Sequence, residues 1–164
     1  MSLKSIVDPR LDLVLERFVD VPRHLVWEAW TKPEHLKEWY CPKPFSVSRC
    51  EIELRPGGTF HTTIQSPEGH EFPYTGCYLE IIPEQRLVWT LALLPDFRPA
   101  PRHEFATFTA IITLESVGTG TKYVAHVMHI DESCRIKHET MGFYEGWGTA
   151  LDQLVAHVKS LQQS

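Results

Sequence analysis

Hydrophobic residues recur along this chain with two periods, and the places where the period changes divide it into elements. Leu11 to Val19 reads LDLVLERFV, with Leu11, Leu13 and Leu15 at alternate positions and Phe18 and Val19 closing the run, which predicts a half-buried strand. Asp20 and Pro22 then supply a helix start, and Leu25, Val26, Ala29 and Trp30 fall on one face of a short helix. Thr31 and Glu34 have the three-residue spacing of a capping box, so a second short helix is expected at once, with Leu36, Trp39 and Tyr40 as its apolar stripe. Pro42 and Pro44 stop it by removing backbone donors.

From Val47 to Val127 the period is two. Cys50, Ile52 and Leu54 alternate with Arg49, Glu51 and Glu53 before a turn at Pro56-Gly57-Gly58, and the second arm carries Phe60, Thr62 and Ile64. The turn at Pro67-Glu68-Gly69 leads to a third strand, Phe72 to Ile82, and Pro83-Glu84-Gln85 to a fourth, Arg86 to Leu94, which makes a meander. Pro95 to Arg102 holds three prolines and is expected to be irregular, a lid or a contact surface. A fifth strand, Glu104 to Glu115, turns at Gly118-Thr119-Gly120 into a sixth, Lys122 to Ile130.

The last segment, His138 to Leu161, places Met141, Tyr144, Trp147, Leu151, Leu154, Val155, Val158 and Leu161 at helical spacing. One helix of this length spans about 36 Å at roughly 1.5 Å per residue, enough to cross a sheet. The fold class expected is therefore α+β: a curved antiparallel seven-stranded sheet around a long C-terminal helix, with two short helices after strand one. Residues 10–162 form a single domain behind an N-terminal tail, 1–9.

Composition narrows the function. The 164 residues are 43% hydrophobic and 23% charged, as in an ordinary globular domain. With 16 basic against 21 acidic residues and no basic run, a nucleic-acid partner is not expected. Cys41, Cys50, Cys77 and Cys134 form no CxxC pair and read as reduced thiols. With no signal peptide and no spanning segment, the expectation is a cytoplasmic protein away from the membrane.

The stretches VPRHLVWEAWTKPEHLKEWY (Val21 to Tyr40), RPGGTF (Arg55 to Phe60), GCYLEIIPEQRLVWT (Gly76 to Thr90) and GFYEGWGTALDQL (Gly142 to Leu154) cover much of the chain in order. Together they resemble the family named for the C-terminal domain of an activator of a heat-shock-chaperone ATPase. That family belongs to the helix-grip superfamily of birch-pollen-allergen-like (Bet v 1-like) proteins, START domains and polyketide cyclases. The resemblance implies a bacterial protein with an internal container whose contents it does not name.

The candidate ligand-binding residues are Phe60, Tyr78, Trp89, Phe108 and Tyr123 on strands, with His129, Tyr144 and Trp147 near the final helix. Aromatic strand residues are equally at home in a plain core, and neighbours such as Tyr78 and Leu79 are apolar on both faces. Trp147 stands between Gly146 and Gly148; the glycines either let the helix pack closely or leave room beneath the indole. His126 and His129, three apart on a strand, face opposite ways and cannot chelate one ion, so neither a metal nor a cofactor is expected. Glu80 and Glu104 are candidate buried acids, or else, as with Glu80 and Arg49 or Arg86, ion-paired surface groups.

Three functions compete. The first is binding of a hydrophobic or aromatic small molecule without catalysis, by a monomer or homodimer. The alternative is a polyketide cyclase or aromatase, which needs paired polar groups inside. The third is a chaperone-interaction module.

Overall fold

A computed structural model describes residues 6–163; the first five residues of the tail expected over 1–9 lie outside the described residues. Along the chain run β1 (Asp12–Val19), α1 (Arg23–Thr31), α2 (Pro33–Leu36), β2 (Ser46–Ile52), β3 (Thr59–Gln65), β4 (Glu71–Ile82) and β5 (Arg86–Thr90). Then come β6 (Leu93–Leu94), a 3-10 turn (Pro95–Phe97), β7 (Arg98–Pro99), β8 (Phe108–Val117), β9 (Gly120–His129), α3 (Glu132–Thr140) and α4 (Phe143–Gln162).

Seven of the strands form one antiparallel sheet in the order β1-β9-β8-β5-β4-β3-β2, and β6 pairs only with β7. The meander from β2 to β5 is the one expected from the consecutive turns. The β8–β9 hairpin lies on β5, and β1 returns to pair with β9 along its whole length, from Asp12↔Met128 to Val19↔Thr121. Register shifts at Val47/Arg49 and Tyr78/Glu80 bend the strands that carry them.

Alternation decides which face is buried. Phe108, Ala110, Ile112 and Leu114 of β8, and Tyr123, Ala125 and Val127 of β9, all join the core cluster with Phe143, Ala150, Leu151, Leu154 and Val158 of α4. Phe60, Tyr78 and Trp89 are 2%, 0% and 1% exposed at the centre of that cluster, where truncating one such aromatic to alanine costs about 3–5 kcal/mol.

Four expectations are corrected. The helix expected from His138 to Leu161 is two helices, because Gly142 sits at φ +98°, outside the helical region, and caps α4. His138 therefore belongs to α3, and α4 alone spans about 30 Å. No capping box forms: Thr31 ends α1, where its hydroxyl donates to the carbonyl of Trp27 at 2.8 Å, and α2 starts on Pro33 instead. The fourth strand stops at Thr90, and Pro95 to Arg102 holds the 3-10 turn and most of the β6–β7 hairpin. The fifth starts at Phe108 because residues 103–107 close on themselves: the His103 N–H donates to Thr107 Oγ1, and its Nδ1 accepts from the N–H groups of Phe105 and Ala106.

Candidate functional site

The buried face of α4 and the sheet do not fill the space between them: a cavity of about 170 Å³ remains. One wall comes from the α1–α2 region (Trp30, Trp39, Tyr40), a second from β3 and β4 (Thr62, Ile64, Tyr74) and a third from Phe108 and Tyr123. Phe105 and Ala106 close it from the loop before β8, Leu91 from the end of β5, His138 from α3, and Trp147 and Ala150 from α4. Trp30, Trp39, Phe108 and Tyr123 are buried, whereas Ile64, Tyr74, Leu91 and Phe105 keep partial exposure, so the cavity has a deep aromatic end and a mouth.

The walls are held by specific bonds. The Trp39 indole N–H donates to the carbonyl of Ala29 at 3.0 Å, and the side-chain amide of Gln153 on α4 donates to the carbonyls of Trp39 and Cys41. The Trp30 indole N–H donates to the Tyr123 hydroxyl at 3.2 Å, joining the helix wall to the sheet wall. At the mouth, Arg102 pairs with Asp131, the N-cap of α3, at 2.7 Å, and Lys137 lies 3.7 Å from Glu104. The loop carrying Phe105 is thereby tied to the helix carrying His138.

Polar groups in this aromatic setting are few. The hydroxyls of Tyr40 and Tyr74 have no partner among the described residues, and burial pushes both phenols above their ordinary range. Tyr123 is raised for the same reason, with the Trp30 hydrogen bond opposing. Just beneath the cavity wall, the Tyr78 hydroxyl and the Trp89 indole N–H are buried and unpartnered among the described residues.

Two histidines form a chain into the cavity. His129 Nδ1 donates to the backbone carbonyl of Leu11 at 2.9 Å, and His129 Nε2 lies 2.9 Å from His138 Nδ1. Phe108 stacks on the His138 ring at 5.2 Å and 20°, and Phe105, Phe143 and Trp147 surround it. Burial, and then the neighbouring His129, lowers His138 to about 4, and burial also lowers His129, so both are neutral at pH 7.

Of the residues singled out from sequence, the cavity is lined by Phe108, Tyr123 and Trp147. His129 reaches it only through His138. Phe60, Tyr78 and Trp89 are packed in the core behind the lining rather than on it. Tyr144 does not line the cavity: it is 42% exposed, in the first turn of α4 at the edge of the buried stripe. Glu80 pairs with Arg86 on the surface, and Glu104 is 65% exposed, so neither acid is buried. His126, on the opposite face from His129, bonds Asp12 at 2.8 Å. Among the described residues no group of three or more His, Cys, Asp or Glu side chains is placed to hold a metal ion.

Sequence reasoning missed Trp30, Trp39, Tyr40, Tyr74, Phe105 and His138 as lining residues. The signal for the first three was present: aromatic residues clustered over two short helices exceed what so short a stripe can bury alone. His138 gave none, because its role depends on a partner on β9.

Relatives share this architecture. The family model described as "Activator of Hsp90 ATPase homolog 1-like protein" matches residues 20–159. The crystal structure of protein NE0264 from Nitrosomonas europaea is 47% identical, covers 96% of this chain and 100% of its own, and superposes with a TM-score of 0.91. Protein CV1439 from Chromobacterium violaceum, at 24% identity over 88% of this chain and 95% of its own, has a TM-score of 0.71. An AHSA1-like protein from Aeromonas hydrophila, 16% identical over 94% of this chain and 96% of its own, also reaches 0.71; these two share the fold. No curated protein matches the chain. With the helix-grip architecture and a family match running from the end of β1 into the last turns of α4, the chain belongs to the family of activator of Hsp90 ATPase homolog 1-like proteins.

Proposed function

We propose that this protein binds a small hydrophobic or aromatic molecule in the cavity between α4 and the sheet. The observation that carries the reading is the cavity itself: about 170 Å³, walled by aromatic rings, with a small number of polar groups reaching it. That volume is close to the roughly 150 Å³ of an engineered apolar cavity that takes up benzene, so a single six-membered ring is the natural occupant. The four thiols are free and three of them buried, which suits a cytoplasmic protein.

A cyclase-like reaction ranks second. Glu80 and Glu104 are on the surface, which leaves His138, Thr62 and the tyrosine hydroxyls among the polar groups such chemistry could use. A chaperone partner rests on the family's description alone.

The test is native mass spectrometry of freshly purified protein, with organic extraction, beside thermal melting in the presence of benzene, toluene and phenol. A retained small mass, or a melting temperature that rises with ring compound, supports binding. If no ring compound at millimolar concentration moves the melting temperature, and nothing is extracted, the container reading fails.

A further inference from the structure

We propose that His138 makes the cavity selective for a single-ring molecule bearing a hydroxyl, because the backbone carbonyl of Leu11, acting through His129, leaves His138 Nε2 as an obligate hydrogen-bond acceptor. The inference rests on the cavity-binding reading and specifies its ligand.

The argument follows the protons. A carbonyl oxygen can only accept, so His129 Nδ1, 2.9 Å from Leu11, must carry its hydrogen. In a neutral imidazole the other nitrogen is then bare, so His129 Nε2 accepts, and the donor 2.9 Å away is Nδ1–H of His138. With its single proton on Nδ1, His138 has a bare Nε2. That atom has no partner among the described residues, and the ring carrying it lines the cavity while 8% exposed.

The tyrosine hydroxyls of the cavity can donate or accept and so adapt to either kind of ligand. His138 cannot. A ligand bringing an O–H to it satisfies a bare acceptor; one bringing a methyl in the same place covers that acceptor without bonding it, and one bringing a carbonyl sets two acceptors against each other. A site of this kind discriminates by what the wrong ligand leaves unpaired. His129 is a positioning residue, since it touches no ligand and fixes the tautomer of the residue that does.

The probes are phenol and toluene, nearly equal in shape. Dissociation constants for both are measured by calorimetry at pH 7 for the wild type and for His138→Phe, and the toluene-to-phenol ratio is compared between proteins so that the probes' different hydration cancels. The expected result is a ratio about tenfold larger in the wild type, the worth of one hydrogen bond. Binding of both probes with the same ratio in both proteins overturns the selectivity and leaves the container reading standing; binding of neither overturns both. Should His138→Phe not fold, long-range proton–nitrogen NMR spectra of the wild type decide: both histidines must appear protonated at Nδ1, and an Nε2–H signal from His138 overturns the proposal. In His129→Phe the same spectra should show His138 losing its single tautomer and the phenol preference falling with it.

Discussion

Trp89 on β5 and Trp147 on α4 lie parallel, their planes 8° apart and their ring centroids 6.5 Å apart, in an offset stack that ties the helix to the sheet. Trp147 also lines the cavity, whereas Trp89 is fully packed behind it. The volume open to a ligand is therefore bounded by a ring that the sheet holds in place.

Replacing Trp147 by alanine removes that bound. Because the indole is only part-buried, the expected loss of stability is about 2–3 kcal/mol, below the range for a fully buried tryptophan. The cavity should then accept two-ring compounds such as 2-naphthol, and thermal melting with phenol and 2-naphthol checks it. An unchanged size limit would show that Trp147 does not set the boundary.

Gly146 separates two readings of the glycines around Trp147. A Cβ built there meets nothing within 4 Å, so neither close packing nor room for a ligand requires glycine at this helical position. Gly146→Ala should stabilise the protein by about 0.5–1 kcal/mol, seen as a higher urea midpoint at unchanged slope. Gly142→Ala, at φ +98°, should do the opposite.

Stability should fall as the medium becomes mildly acidic. His138 is held at about 4 when folded, against 6.5 ordinarily, so between these values the unfolded chain binds a proton that the folded chain does not. The contribution is present in full above about 6.5, declines as pH falls and is gone near 4, on the order of 3 kcal/mol in total. His129, also lowered by burial, adds in the same direction. The exposed carboxylates held low, Asp131, Asp8 and Glu53, act at lower pH still. Urea unfolding at pH 7, 5.5 and 4.5 measures the slope, and His138→Phe should flatten it.

The fold was legible because most strands bury one face. Leu13 and Leu15, or Phe108, Ala110 and Ile112, mark alternation that tertiary structure merely uses. Where both faces are apolar the sequence is silent: Tyr78 is buried and Leu79, next to the register shift at Tyr78/Glu80, is part-buried, and nothing in their apolar character says which faces the core. The break between α3 and α4 was hidden for a similar reason, since Met141 and Gly142 interrupt the backbone without interrupting the spacing of apolar residues. The cavity was legible only in part. Phe108, Tyr123 and Trp147 stand out as aromatics, but what separates a lining ring from a packed one, such as Trp89, is the volume left over after all the others are placed.

The bond from His129 to Leu11 joins residues 118 apart in sequence. Pairing β1 with β9 thus closes a long loop and carries the entropy cost of doing so. Until it happens the Leu11 carbonyl is absent and the imidazole pair is free to hold its hydrogens either way. Without this strand pairing a greasy hollow would show no chemical preference, so discrimination itself would report that the sheet has been completed.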